Sequence, residues 1–401
     1  MTEPLPGFST LAVHAGIPPG SDAERDMPVH ETASFASGGD NARPELPTFG
    51  NISTHASDPA TAVLEERIAA LEGGTAAVAA ASGPAALLMV FHTLLQPGDE
   101  LIASRGVCDE HRNQAYGNFG WTVMEADPGD IATFERAVSP KTKAIIVDSL
   151  ASDGAITDLE AVAEVARRAN VPFIVDNTLA TPCLLKPIDH GADIVVHASS
   201  KILSGHRDSL GGIIVDAGTF DWTASGRYPL LSEPRPEYHG VTMHETFGNF
   251  AFAMAVRVLA LRDLGPAIAP FNSFMILTGI ETLALRMQRH VDNAKAIAEW
   301  LSRHPAVSWV NYASLPGDRH HNLARKYMPK GAGTVLTFGL QGGHEAGVSL
   351  VSNVKLVSHL AKIGDTRSLI TATSGGMRLS AGIEDKDDLI ADLEQALVVS
   401  G

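Results

Sequence analysis

Between residues 61 and 72, Val63, Leu64, Ile68 and Leu71 fall on one helical face, Glu65, Glu66 and Arg67 face away, and Gly73-Gly74 close the run. This pattern predicts the helix that opens the main folded region. Beyond it, short apolar runs predict strands at Ala76–Ala81, Glu100–Ser104, Trp121–Glu125, Lys143–Asp148, Pro172–Asp176, Asp193–His197 and Gly211–Val215. Helical periodicity separates several of them, most clearly at Leu159–Ala169. Apolar strands alternating with helices predict an α/β fold whose central, mostly parallel sheet carries helices on both faces. The functional site of such a sheet lies at the carboxyl ends of its strands.

The pattern changes on either side of this region. Residues 1–60 are rich in Pro, Gly, Ser and Thr, lack a sustained period, and predict an extended N-terminal arm that lies on another surface, such as a second subunit. Residues 61–250 form the large α/β domain. From 251 to 401 a smaller α+β domain is expected, with a long helix from Ile280 to about His304, strands at Gly333–Leu340 and Met377–Ser380, and a closing helix at Lys386–Val399. The sequence shows no internal repeat and no low-complexity tract.

Composition narrows the partners. The 401 residues are 45% hydrophobic and 19% charged, enough to bury a large interior. The 46 acids and 30 bases give a net charge of −16, which repels nucleic acid and anionic lipid and favours small molecules and like subunits as partners. Cys108 and Cys183 are the only cysteines and form no CxxC pair, and there is no basic segment followed by an apolar one at the start. A reduced, cytoplasmic protein without a disulfide framework is expected. No apolar run approaches the roughly 18 residues of a membrane span.

Lys201 lies between a strand and a glycine-rich turn leading to the next strand. There its stem is packed and its amine partly desolvated, which makes it a better nucleophile and proton carrier and a candidate covalent anchor for an aldehyde cofactor. A surface loop lysine is the plain alternative. Asp176 ends the apolar strand upstream and precedes Asn177-Thr178, a place from which a carboxylate can keep a pyridinium nitrogen protonated or simply cap a turn. Together the two residues form the pair that pyridoxal phosphate chemistry requires.

The segments VDNTLATP at 175–182, the block around Lys201, and GIEDKDDLIADLEQAL at the C-terminus resemble the Cys/Met-metabolism family of pyridoxal phosphate enzymes, and most of all its O-acetylhomoserine sulfhydrylases. LAVHAG, VLEERIAALEGG, LSEPRPEYHG and FNSFMILTGIETLALRMQRHVDNA extend the resemblance over nearly the whole chain. It implies fold type I, a homotetramer of dimers that share active sites, and γ- or β-replacement or elimination on an amino acid. By the same resemblance Lys201 is the Schiff-base lysine for pyridoxal 5'-phosphate, Asp176 the partner of the ring nitrogen, and Arg378 in MRLSAGIED the clamp on the substrate carboxylate. A forked guanidinium suits the last task, a surface ion pair being its plain alternative.

The chain also departs from the family. Where a Tyr-x-Arg reaches the cofactor phosphate of a neighbouring subunit, Phe49-Gly50-Asn51-Ile52 is followed by Ser53-Thr54-His55, which leaves His55 as the candidate contact. Ser82-Gly83 match the phosphate-binding helix start, but Pro84 follows and has no N–H to offer. The serine three residues before the lysine is Ala198, so Ser200 is the remaining hydroxyl. The tyrosine that stacks on the ring aligns with Cys108, and an asparagine near the ring hydroxyl aligns with Ser152. The loop after Ser368-Leu369 is about a dozen residues shorter. These changes fall on the phosphate and stacking contacts, whereas Lys201, Asp176 and Arg378 remain.

Two readings follow. In one, His55, His111 and Arg112 supply replacement cations, and a pyridoxal phosphate lyase or transferase acts on a specialised substrate. In the other, a repurposed paralogue uses the pocket for different chemistry or for binding. A metal site is not expected, because there is no HExxH, His244-Glu245 lacks a second histidine, and His320-His321 are adjacent; the cluster Cys108, Asp109, Glu110 and His111 reads equally well as helix-surface polarity. No GxSxG elbow, Walker loop or dinucleotide fingerprint occurs.

Overall fold

The computed structural model describes residues 6–17, 28–32, 58–107 and 110–400. Its large sheet has seven strands, β1 (Ala76–Ala80), β2 (Glu100–Ser104), β3 (Thr122–Ala126), β4 (Thr142–Asp148), β5 (Phe173–Asp176), β6 (Ile194–His197) and β7 (Gly212–Asp216), in the order β1-β7-β6-β5-β4-β2-β3. Each predicted strand is present within a residue or two. Pairings from β6 across to β3 are parallel, whereas β7 runs antiparallel to both β1 and β6. The chain therefore turns back at the carboxyl end of β6 into β7, and Lys201 lies in that return.

Side chains alternate across the strands and build two cores. Val147, Phe173, Val175, Val195 and Val215 face one core, which continues through Ile276 and Met287 to Leu336, Phe338 and Leu379. Ile146, Ile174, Ile194, Val196 and Ile214 face the other, packed with Met89, Val90, Phe252 and Val256. Both faces of the central strands are covered, as near-continuous apolar strands require. Residues 251–262, which the sequence pattern assigns to the C-terminal region, pack on the large sheet through Phe252, Val256 and Leu259.

The N-terminal region is not wholly extended. Helix α1 (Phe8–His14) is followed by Gly16, which at φ 82 turns the chain against the next helix. The helix predicted from Thr61 is α2 (Pro59–Glu72); Asp58 caps it by accepting the N–H groups of Ala60 and Thr61, and Gly73 at φ 81 ends it. Two residues expected to face away from its core are buried. Glu65 accepts the Ala79 N–H at 2.8 Å and pairs with Arg257 at 2.6 Å, while Arg67 reaches Ala15 O at 3.0 Å. Helix α1 and residues 251–262 cover the face that an isolated helix would have left to solvent.

A second sheet contains β8 (Val307–Asn311), β9 (Val335–Leu340), β10 (Ser358–His359), β11 (Leu369–Thr373) and β12 (Gly376–Ser380), in the order β10-β11-β12-β9-β8. The closing helix is present at Lys386–Ser400. The long helix expected from Ile280 is present as Leu283–Leu301; Ile280 itself belongs to a preceding helix, Pro270–Glu281, and Thr282 separates the two. The Gly279 carbonyl, which would continue one helix into the other, instead accepts Arg286 Nη2 at 2.6 Å and the Thr282 hydroxyl at 3.3 Å.

Candidate functional site

The parallel strands end side by side, and each end delivers a polar residue. Asp176 closes β5, and its Oδ1 accepts the Thr178 N–H at 3.0 Å. The turn-capping reading of this aspartate is therefore correct, yet the same residue lines a cavity of about 1400 Å³. Thr178 Oγ1 accepts the Ala198 N–H at 2.8 Å and thereby joins the loop after β5 to the loop after β6. Lys201 sits in a helical turn in which Lys201 N donates to Ala198 O and Gly205 N to Lys201 O.

The cavity is lined by Ser152, Asp176, Thr178, Ser200, Lys201 and Arg378, among others. Residues far apart in sequence thus share one wall. Lys201 and Arg378 are each half-buried, and neither side chain has a hydrogen-bonding or ionic partner among the described residues. Burial holds the Arg378 guanidinium below its usual range, with no acid among the described residues offsetting the effect. A desolvated guanidinium of this kind gains by meeting a carboxylate ligand.

A fully buried cluster underlies these strand ends. His197, the last residue of β6, places Nε2 at 2.7 Å from Glu72 Oε1, and Asn177 Nδ2 donates to the same oxygen at 2.9 Å. Ser149, just past β4, donates to Asn177 Oδ1 at 2.8 Å. The ends of β4, β5 and β6 are thereby tied to the end of α2. From above, Arg207 pairs with Asp365 at 3.0 Å and Thr366 N donates to Gly205 O, so the segment after β10 is strapped over the lysine turn.

The other expected contacts are placed less uniformly. Ser82 and Gly83 do not line this cavity. Ser82 instead caps helix α3 (Gly83–Leu94) by accepting the Ala85 N–H at 3.2 Å, and Gly83 is pressed against Ala198 so closely that a Cβ there would lie 2.6 Å from the alanine's. His55 and Cys108 lie outside the described residues. Among the described residues, no group of three His, Cys, Asp or Glu is arranged to hold a metal.

The residues present suit an aldehyde-bearing pyridine. A primary amine without a partner among the described residues and a strand-end carboxylate line the same cavity, with the Ser200 and Thr178 hydroxyls beside them and a guanidinium on the wall from β12. Sequence reasoning missed Thr178, Arg207 and the buried Arg286 of LALRMQRHVDNA. The last of these left a readable signal, since Arg286, His290 and Asn293 repeat polar residues on the apolar side of a helix.

Comparison with known proteins adds the context for this arrangement. Residues 9–375 match the family described as Cys/Met metabolism PLP-dependent enzyme. The chain is 40% identical to the O-acetyl-L-homoserine sulfhydrylase of Leptospira meyeri, covering 97% of this chain and 96% of that one. It is 41% identical to O-acetyl-L-homoserine sulfhydrylase 1 of Thermus thermophilus, with 97% and 99% covered. A crystal structure from Campylobacter jejuni, assigned as an O-acetylhomoserine (thiol)-lyase and carrying N'-pyridoxyl-lysine-5'-monophosphate, superposes with a TM-score of 0.92 at 32% identity over 98% of this chain and all of that one.

Proposed function

The chain belongs to the Cys/Met metabolism family of PLP-dependent enzymes, and from that premise we propose that Lys201, Asp176 and Arg378 carry a replacement reaction on an O-acylated amino acid of the homoserine type. The observation behind this reading is the convergence on one cavity of an amine, a strand-end carboxylate and a guanidinium that is unpaired among the described residues. The enzyme is PLP-dependent and acts on C–S or C–O bonds of amino acids. Pyridoxal phosphate, when bound, supplies an electron sink for charge developing at the substrate's Cα. No observation favours a repurposed, cofactor-independent pocket.

Lys201 Nζ is the group that would hold the cofactor's aldehyde, and Asp176 would meet its ring nitrogen and keep a proton there. The Lys201 amine also takes and returns protons at the substrate's Cα and Cβ. Arg378 grips the α-carboxylate through its fork and so fixes which bonds at Cα face the lysine. Ser200 and Ser152 would contact the cofactor from the cavity wall. Ser82 and Gly83 at the α3 start, which do not line the cavity, together with His55 and Cys108, join the proposed set on the resemblance alone.

The altered phosphate and stacking positions support a specialised substrate in place of O-acetylhomoserine itself. The proposed division keeps an arm at 1–60, a cofactor domain at 61–250 and a C-terminal domain at 251–401, with residues 251–262 bridging the last two. A homotetramer of site-sharing dimers is proposed on the resemblance, and a cytoplasmic location on the two cysteines without a CxxC pair. Among the described residues no helix is long and apolar enough to cross a membrane. Light scattering of the purified protein tests the tetramer.

The function is tested by the visible spectrum with added pyridoxal phosphate, borohydride trapping, and sulfide-dependent turnover of O-acetyl- and O-succinyl-homoserine and O-acetylserine. Trapping at Lys201 and its loss in Lys201→Ala are expected. A protein that forms no adduct at this lysine would end the reading.

A further inference from the structure

Arg286 is 5% exposed and lacks a carboxylate partner among the described residues. Its Nη1 donates to Ile202 O at 2.8 Å, its Nη2 to Leu203 O at 3.0 Å and Gly279 O at 2.6 Å, and its Nε to Thr282 Oγ1 at 3.3 Å. The two carbonyls in the first pair belong to the residues directly after Lys201. Burial pulls the guanidinium down to about 10, the cost of keeping a cation inside on neutral acceptors alone. Gly205 makes room for it, since a Cβ there would lie 2.3 Å from Nη1.

His290 and Asn293 follow on the same helix face, four and seven positions on. His290 Nδ1 donates to Ala381 O at 2.7 Å, and burial holds the ring near a pKa of about 4, so it is neutral at ordinary pH. Asn293 Nδ2 donates to Gly382 O at 3.0 Å and Glu384 O at 2.8 Å. These acceptors continue the chain directly from β12, the strand that carries Arg378. One helix face, about 10 Å long from Arg286 to Asn293, therefore grips the backbone after Lys201 at one end and the backbone after Arg378 at the other.

We propose that Arg286, His290 and Asn293 are positioning residues that set the separation between the Lys201 amine and the Arg378 guanidinium. The proposal rests on the roles assigned above to Lys201 and Arg378. A guanidinium can serve four acceptors in one plane, whereas an ammonium at the same place cannot. Loss of the fork frees the lysine end, and loss of the Asn293 amide frees the arginine end.

The test uses the full-length protein and two variants, Arg286→Lys and Asn293→Ala, each followed by thermal melting, by the rate at which added pyridoxal phosphate becomes borohydride-trappable at Lys201, and by steady-state kinetics. Arg286→Lys is expected to slow capture at least about tenfold, with KM for the amino acid within about twofold of the parent. Asn293→Ala is expected to raise KM at least about tenfold, with capture within about twofold. Both variants melting lower while capture and KM stay at parental values would overturn the proposal, as would parallel losses of both readouts in each variant. If Arg286→Lys gives no folded protein, the Asn293→Ala result decides. Absence of trapping in the parent protein would instead refute the role of Lys201.

Discussion

His197 Nε2 lies 2.7 Å from Glu72 Oε1, and both side chains are wholly buried beneath the strand ends that carry Asp176 and Lys201. Asn177 donates to the same carboxylate oxygen, so one acceptor serves two buried donors. Glu72→Ala would strand both, and a loss of about 3–5 kcal/mol in unfolding free energy is expected. Glu72→Gln keeps an acceptor oxygen and should lose about 1–2 kcal/mol. Chemical denaturation measures both; an alanine variant as stable as the parent would show that the cluster contributes nothing.

Asp176→Asn keeps an oxygen for the Thr178 N–H but gives up the negative charge. The fold and the borohydride-trapped adduct at Lys201 should persist, while kcat falls roughly a hundredfold or more. Turnover unchanged in this variant would assign Asp176 to the turn alone.

Arg378→Lys exchanges a fork for a point charge at a half-buried position. Because charged hydrogen bonds contribute about 1.5–3 kcal/mol, kcat/KM should fall roughly ten- to a hundredfold, mostly through KM. A substrate in which the carboxylate is replaced by an amide should show little further loss with the variant. Equal penalties for parent and variant on that amide would place the carboxylate elsewhere.

At the start of β6, the end of the strands away from the cavity, burial pushes the Asp193 carboxyl up from 3.8 to about 6, against opposing hydrogen bonds from the Phe173 N–H and Thr219. Burial likewise pushes neighbouring Asp216 up to about 7. A folded-state pKa above the unfolded value means that the native protein binds more protons between the two. Asp193 therefore stabilises the fold fully only below its unfolded value of 3.8, and its contribution is lost as pH rises from there through about 6. Asp193→Asn should flatten the fall in melting temperature over that window and leave turnover unchanged. A parent-to-variant difference that does not vary with pH would contradict this.

The large sheet was legible because its strands are apolar on both faces and are punctuated by glycine and proline. That Lys201 and Asp176 share one cavity was legible because one lies in the loop that follows β6 and the other closes β5. The reversal of β7 and the burial of Glu65 and Arg67 were not, since each depends on what packs from elsewhere: Arg257 reaches Glu65 from far along the chain, and Ala15, just past helix α1, offers its carbonyl to Arg67. Helical continuity through Thr282 was misread for a similar reason, because the Gly279 carbonyl is taken by a side chain of the following helix. His55 and Cys108 were readable only by resemblance and lie outside the described residues.

The two ends of the helix face from Arg286 to Asn293 also link events in time. The return from β6 to β7 is local, but the lysine turn is held by Arg286 and the wall bearing Arg378 by Asn293, contacts of nearly equal range along the chain. A refolding chain should therefore gain capture of pyridoxal phosphate and recognition of an amino acid together, a coincidence that borohydride pulses during refolding would register.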